Sequence, residues 1–240
     1  MNFEEFKSLF EDACLKNAVL VPNKTQMEEF WLFTEYLLRV NEKTNLTAIR
    51  NIPDIIAKHY VDSLTVCELI PENARVLDLG CGPGFPSVPL SIARPDLTVY
   101  ALDSTEKKIR FLNDSAALLK NDRLLGIAGR AEDAEIRKRL GDFDVVVSRA
   151  VSRLNILCEL CMPYVRVSGK MIAMKGAKGE EELIEAGKAI KILGGEAKKH
   201  NREILLGETT EQRCLIEIRK TKETPRNYPR PYAAILKKPL

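Results

Sequence analysis

Val76-Leu77-Asp78-Leu79-Gly80-Cys81-Gly82-Pro83-Gly84-Phe85 decides how the rest of this 240-residue chain is read. It begins as a short apolar β-type run and ends in three glycines spaced two apart. An amphipathic helical stretch, Val88 to Ala93, follows. That strand–turn–helix context is what gives a glycine loop chemical meaning. Further β-type runs follow at Leu97-Thr-Val-Tyr-Ala-Leu, Leu124 to Ala128, Asp144-Val-Val-Val-Ser and Gly169-Lys-Met-Ile-Ala-Met. Helical patterns separate them at 107–119, 134–140, 154–164 and 180–193. Alternating strands and helices predict an α/β fold with a parallel sheet covered on both faces. The strands are apolar throughout, as burial on both faces requires. Beyond Gly194-Gly195 the pattern changes to two runs without a helix, Ile204 to Leu206 and Cys214 to Lys220, which predict an antiparallel hairpin.

Towards the N-terminus the first seventy residues read as helices. Phe3, Phe6, Leu9, Phe10 and Ala13 keep a 3–4 spacing, as do Met27, Phe30, Trp31, Thr34, Leu37 and Leu38. Pro22 and Asn23 separate these two, and a third helical stretch covers roughly Asp54 to Leu69. The organisation expected is therefore 1–70 as a helical extension packed on the main domain, 71–220 as the α/β domain, and 221–240 as a basic, Pro-containing tail. That tail reads as extended and partly mobile.

Composition narrows the class. Hydrophobic residues make up 45% and charged residues 30%, enough for a sizeable core on a water-exposed surface. No apolar run reaches the roughly 18 to 20 residues of a transmembrane helix. The N-terminus lacks a basic n-region and an apolar h-region, so neither membrane spanning nor secretion is expected. Six cysteines include one C-x-x-C pair, Cys158 and Cys161, without nearby histidines. A zinc site wants more ligands than that, so core thiols in a reducing, cytoplasmic setting are expected and no metal. The net charge is +3, but seven basic residues and one acid between Arg219 and Leu240 put +6 on the tail and leave −3 for the rest. A polyanion contact would therefore involve the tail. Arg226, Arg230, Lys237 and Lys238 are its candidate RNA-binding residues, with Tyr228 and Tyr232 available for stacking. A solvated end that never meets nucleic acid is the alternative.

Glycine spacing discriminates between ligands. Dinucleotide binders carry G-x-G-x-x-G, whereas here Gly82 and Gly84 are two apart and Asp78 stands two before Gly80. This D-x-G-x-G-x-G form resembles motif I of the class I methyltransferases, which bind S-adenosylmethionine. No phosphate loop of the G-x-x-x-x-G-K-[ST] type is present. Asp103 ends the next strand, 23 residues after Gly80, where an acid accepts ribose hydroxyls or caps the following helix. Gly129-Arg-Ala-Glu-Asp follows the third strand, and the resemblance to class I methyltransferases implies that this loop lies against the adenine of the cofactor. There is no Pro-Cys for a cytosine-C5 nucleophile. Where amino-methylating enzymes of adenine show [DN]-P-P-[YFW], this chain has Ser148-Arg-Ala-Val. A ring nitrogen with a free lone pair needs neither device.

Motifs along nearly the whole chain extend the likeness. They are Asn41-Glu-Lys-Thr-Asn-Leu-Thr, Lys58-His-Tyr-Val-Asp-Ser, Gly84-Phe-Pro-Ser, Leu102-Asp-Ser, Lys107-Lys-Ile-Arg-Phe-Leu, Gly129-Arg-Ala-Glu, Ser148-Arg-Ala-Val, Met174-Lys-Gly and Tyr228-Pro-Arg. In these the chain resembles the glucose-inhibited division protein B family, bacterial guanine-N7 methyltransferases of 16S ribosomal RNA. The resemblance implies a class I, Rossmann-like, mostly parallel seven-stranded sheet. It implies S-adenosylmethionine as cofactor and 16S ribosomal RNA, alone or within the small subunit, as partner, with a monomer expected. Implied cofactor contacts are Gly80, Phe85, Ala131, Glu132 and Arg149, to which the loop reading adds Gly82 and Asp103. Arg149 has a structural ion pair as its alternative role, and no catalytic residue is assigned. The family often continues after Tyr-Pro-Arg with a Pro-Gly-Thr-Pro-like segment, where this chain has Pro231-Tyr-Ala-Ala-Ile. A methyltransferase acting on a small molecule or protein, and a non-enzymatic nucleotide- or RNA-binding protein, remain open on sequence.

Overall fold

A computed structural model describes residues 1–206 and 209–240. Seven strands form one sheet in the order β3-β2-β1-β4-β5-β7-β6. They are β1 (Arg75–Leu79), β2 (Thr98–Asp103), β3 (Leu124–Ala128), β4 (Phe143–Arg149), β5 (Val165–Lys175), β6 (Gly195–Leu206) and β7 (Thr209–Lys220). β1 to β5 pair in parallel. β7 runs antiparallel to β5, and β6 antiparallel to β7. Side chains alternate between two cores, as the period of two dictates. Val76, Val99 and Val145 belong to one face, and Leu77, Leu102 and Val146 to the other.

The first core continues into the N-terminal helices α1 (Phe3–Lys16) and α2 (Lys24–Thr44). Each starts with a reciprocal cap, Asn2 with Glu5 and Asn23 with Gln26. These satisfy backbone donors that a helix start leaves free. Phe10 meets Phe30 edge-on, with ring centroids 4.9 Å apart, and Phe30 lies 4.9 Å from Tyr60. Asn45, in the left-handed region at φ 50°, terminates α2 and turns the chain back. The third helical stretch is not uniform. α3 (Ile52–Ile55) passes into a π-helical segment (Ile56–Val61) and then α4 (Asp62–Leu64). A π-segment shifts the register of side chains and recurs at functional sites; this one carries His59.

On the sheet, α5 (Ser87–Ala93) and α6 (Glu106–Leu118) belong with the first core. α7 (Ala134–Leu140), α8 (Leu154–Cys161) and α9 (Gly179–Ile192) cover the second. All six cysteines are buried, reduced and separate. Burial pushes the Cys158 thiol up to about 12, so the C-x-x-C pair packs as apolar volume.

Two expectations need correction. The first hairpin strand begins at Gly195, nine residues before Ile204. Its first part is polar because β6 pairs on one side only, so few of its side chains need burial. The last twenty residues are not a loose extension. They contain α10 (Tyr232–Lys237), with Ile235 fully buried. The Arg230 guanidinium donates to both oxygens of Glu159, at 2.8 and 2.6 Å. A fully buried carboxylate needs such a partner.

Candidate cofactor-binding site

The strand order reverses between β1 and β4, and ligands of open α/β sheets bind beyond the strand ends at such a switch point. Here a cleft of about 600 Å³ opens, within the usual size range of small-molecule sites. Its lining includes Gly80, Gly82, Phe85, Asp103, Ala131, Glu132 and Arg149, so the fold brings together every cofactor residue expected from sequence.

The three loop glycines have different reasons to be glycine. All have positive φ, at 78°, 57° and 109° for Gly80, Gly82 and Gly84. A Cβ on Gly80 would stand 2.3 Å from Val151 Cγ2, and one on Gly84 would stand 2.6 Å from Val88 Cγ2. Those two permit protein packing. A Cβ on Gly82 would meet no protein atom within 4 Å. The space beside it belongs to the cleft, so Gly82 presents bare backbone to a ligand.

Asp103 has two tasks. Its Oδ2 accepts from the Gly82 N–H at 3.0 Å, and its Oδ1 accepts from the Thr105 N–H at 2.8 Å. The carboxylate thus ties the glycine loop to the start of α6, and spare lone pairs remain for ribose hydroxyls. Asp103→Ala is expected to weaken S-adenosylmethionine binding by about 1.5 to 3 kcal/mol, the range for hydrogen bonds to a charged group. An unchanged dissociation constant by calorimetry would remove Asp103 from the site. Asp78, further down β1, is fully buried and accepts from both the N–H and the hydroxyl of Ser87. Burial pushes its carboxyl up to about 7 despite those bonds.

Phe85 forms an apolar wall, 3% exposed, with the His59 ring stacked on it at 4.1 Å and 13°. Arg149 is committed to protein. It donates to Asp62 Oδ2 and to the Lys58 carbonyl, both at 3.0 Å, and to His59 Nδ1 at 3.2 Å. The ion-pair role therefore holds for Arg149, and its side chain lines the cleft as well. Because arginine only donates, His59 Nδ1 must accept, which leaves the proton on Nε2 facing Thr47 Oγ1 at 3.0 Å. Burial, then the Arg149 charge, pushes His59 down to about 3. It is neutral at pH 7.

Sequence reasoning missed several members. Arg213, on β7, reaches Asp62 Oδ1 at 2.8 Å and completes an Arg149–Asp62–Arg213 bridge. Nothing local marks an arginine in a strand for this role. Glu159 lies in the helical stretch 154–164, where one acid among apolar residues carries no mark of a partner. Tyr232 lines the cleft rather than standing on a free tail. Of the candidate RNA residues, Arg226, Lys237 and Lys238 are exposed and Arg230 is held by Glu159. None of the four lines the cleft. Among the described residues, no three His, Cys, Asp or Glu side chains converge as metal ligands, and no helix is long and apolar enough to cross a membrane.

The fold is shared with Trm5b from Pyrococcus abyssi, at TM-score 0.53 and 14% identity over 70% of this chain and 49% of that one. It is also shared with TYW2 of M. jannaschii, solved in complex with AdoMet, at TM-score 0.51 and 18% identity over 66% and 74%. In sequence, the ribosomal RNA small subunit methyltransferase G of Lachnoclostridium phytofermentans is 42% identical over 91% of both chains. That of Lactobacillus helveticus is 40% identical over 90% of this chain and 91% of its own. That of Bacillus cereus is 39% identical over 96% and 95%.

Sheet order, glycine loop and cleft define a class I methyltransferase that uses S-adenosylmethionine. Residues 26–207 match the family model described as rRNA small subunit methyltransferase G, and the chain belongs to that family.

Proposed function

We propose that the protein transfers the methyl group of S-adenosylmethionine to N7 of one guanine in 16S ribosomal RNA, acting as a monomer in the cytoplasm. The observation that carries the choice of atom is that the histidine and the cysteine lining the cleft are both held out of proton-accepting chemistry. His59 is held neutral with its Nδ1 occupied. Cys81 is buried, with its thiol pushed well above its usual range. Of the carboxylates in the lining, Asp103 accepts from the Gly82 and Thr105 N–H groups and Glu132 contacts Arg130 at 3.4 Å. Guanine N7 carries no proton and offers a lone pair, so no base is required. The bound cofactor supplies an electrophilic methyl carbon on a sulfonium sulfur. The chain's contribution is to hold the two reactants in line and to exclude water, a gain of orientation rather than of acid–base chemistry. Gly82 and Asp103 position the cofactor, while Phe85 walls the cleft.

The test is to incubate the protein with methyl-labelled S-adenosylmethionine and small-subunit RNA, as naked RNA and as the assembled subunit, and to digest the product. Label in 7-methylguanosine at one position is expected. Label at another atom would overturn the assignment, and no transfer to either RNA form would point to a different substrate.

Exposed cations of the C-terminal segment are assigned to the RNA contact. Phosphate neutralisation releases counterions, so affinity falls with salt by about 0.7 to 0.9 logarithmic units per contact. Arg230 is already paired, so Arg226, Lys237 and Lys238 are the residues to change. Replacing all three by Gln is expected to flatten the salt slope by about 2 units and to leave cofactor affinity unmoved. A parental slope in filter binding would send the search to other surfaces.

A further inference from the structure

The wall of the cleft beside Gly129–Glu132 is completed by Tyr232, from the C-terminal segment whose exposed cations are assigned to RNA. Glu159, on α8, is 0% exposed, and the partners of its carboxylate come from Arg230. The Arg230 backbone N–H adds a third bond, to Oε1 at 2.9 Å. Breaking such a pair strands a buried charge, so it fixes where the chain goes next. Two residues later Tyr232 begins α10, which buries Ile235 and packs against α8. Tyr232 enters the cleft lining half-buried, and the Arg130 guanidinium lies over its ring at 5.9 Å from the centroid. Arg130 in turn contacts Glu132 at 3.4 Å. An aromatic face, a guanidinium and the 129–132 loop thus stand together at one side of the site.

We propose that Tyr232 contacts the cofactor, its ring packing against the adenine end of bound S-adenosylmethionine, and that the Glu159–Arg230 pair is the anchor that holds it there. This rests on the cofactor reading of the cleft. A flat aromatic ring suits a purine, and Ala131 and Glu132 line the same wall. The placement favours cofactor over RNA for this ring. Tyr232 is part of the cleft, whereas Lys237 at the far end of the same helix and Lys238 just past it are exposed and outside the cleft.

The full-length protein would be titrated with S-adenosylmethionine by calorimetry and, separately, with ribosomal RNA in filter binding. Tyr232→Ala is expected to raise the cofactor dissociation constant about 3- to 10-fold, Tyr232→Phe to restore it, and cofactor-free RNA affinity to stay at the parent's value. Tyr232→Leu keeps apolar volume without an aromatic face. It should also bind cofactor more weakly, and it serves if the alanine variant does not fold. Glu159→Gln should shift cofactor affinity in the same direction; an unchanged constant there would overturn the anchoring role. Parental cofactor affinity in Tyr232→Leu or Tyr232→Ala would overturn the proposal. Loss of RNA affinity in its place would make the ring a stacking platform for RNA. If the parent itself bound no S-adenosylmethionine, the cofactor reading would fall, and this proposal with it.

Discussion

Asp62→Ala is expected to lower the unfolding free energy by about 3 kcal/mol, near the lower end of the range for breaking a buried ion pair. Asp62 ties three distant parts of the chain together. Its Oδ2 accepts from Arg149 at the end of β4, and its Oδ1 accepts from Arg213 on β7. The carboxylate side chain is 8% exposed, against 15% for Arg149 and 17% for Arg213. Removing it leaves Arg149 without a carboxylate partner in a largely closed space, while Arg213 keeps Glu211 at 2.8 Å. The loss should be visible in a urea titration as a lower midpoint at an unchanged slope, the mark of altered stability rather than altered compactness. Asp62→Asn keeps the shape and one acceptor but removes the charge, and should fall between. A loss below about 1 kcal/mol for the alanine variant would mean that the bridge behaves like an exposed ion pair. Arg149 also donates to His59, which stacks on Phe85, so the variant should bind cofactor more weakly even where it remains folded.

The second large effect concerns binding rather than folding. Gly82→Val should abolish S-adenosylmethionine binding in a protein that still folds. The cost to the fold is the left-handed backbone at φ 57°, about 1 to 2 kcal/mol for a residue with a Cβ. Beyond its chain neighbours, no protein atom lies within 4 Å of the added Cβ, so that atom adds no clash to the strain. The new side chain instead occupies the cleft. Gly141→Ala separates the two contributions. Gly141 has φ 68° and open space around its Cβ position, yet it is outside the cleft lining. It should lose stability and keep cofactor affinity. Circular dichroism melts together with calorimetric titration would read both quantities, and a folded Gly82→Val protein with parental affinity would contradict the assignment of the loop.

Much of this architecture was legible before any coordinates. β1, β4 and the second half of β5 are largely buried on both faces, so their sequences are short apolar runs that stand out against the amphipathic helices between them. Gly80, Gly82 and Gly84 were legible because positive φ and close approach leave few alternatives to glycine. Asp103 was legible because it ends a strand at a fixed distance from the loop. The helical N-terminal region showed its 3–4 spacing because its apolar faces turn inward to one shared core. The first part of β6 was not legible, since an edge strand with one neighbour can be polar and still pair.

Fold class and the position of the glycine loop at the end of β1 were readable from sequence. Each of these follows from local chemistry, namely side-chain periodicity and the backbone freedom of glycine. Tertiary structure alone decided which charges meet and which side chain closes the cleft. Asp62 finds Arg213 across 151 positions, and Glu159 finds Arg230 across 71. A carboxylate in a helix and an arginine in a strand or tail carry no mark of their partners. Only packing shows that Glu159 is too deeply buried to stand alone. That burial is why the C-terminal segment folds back, and why Tyr232 lies in the cleft instead of on a free tail.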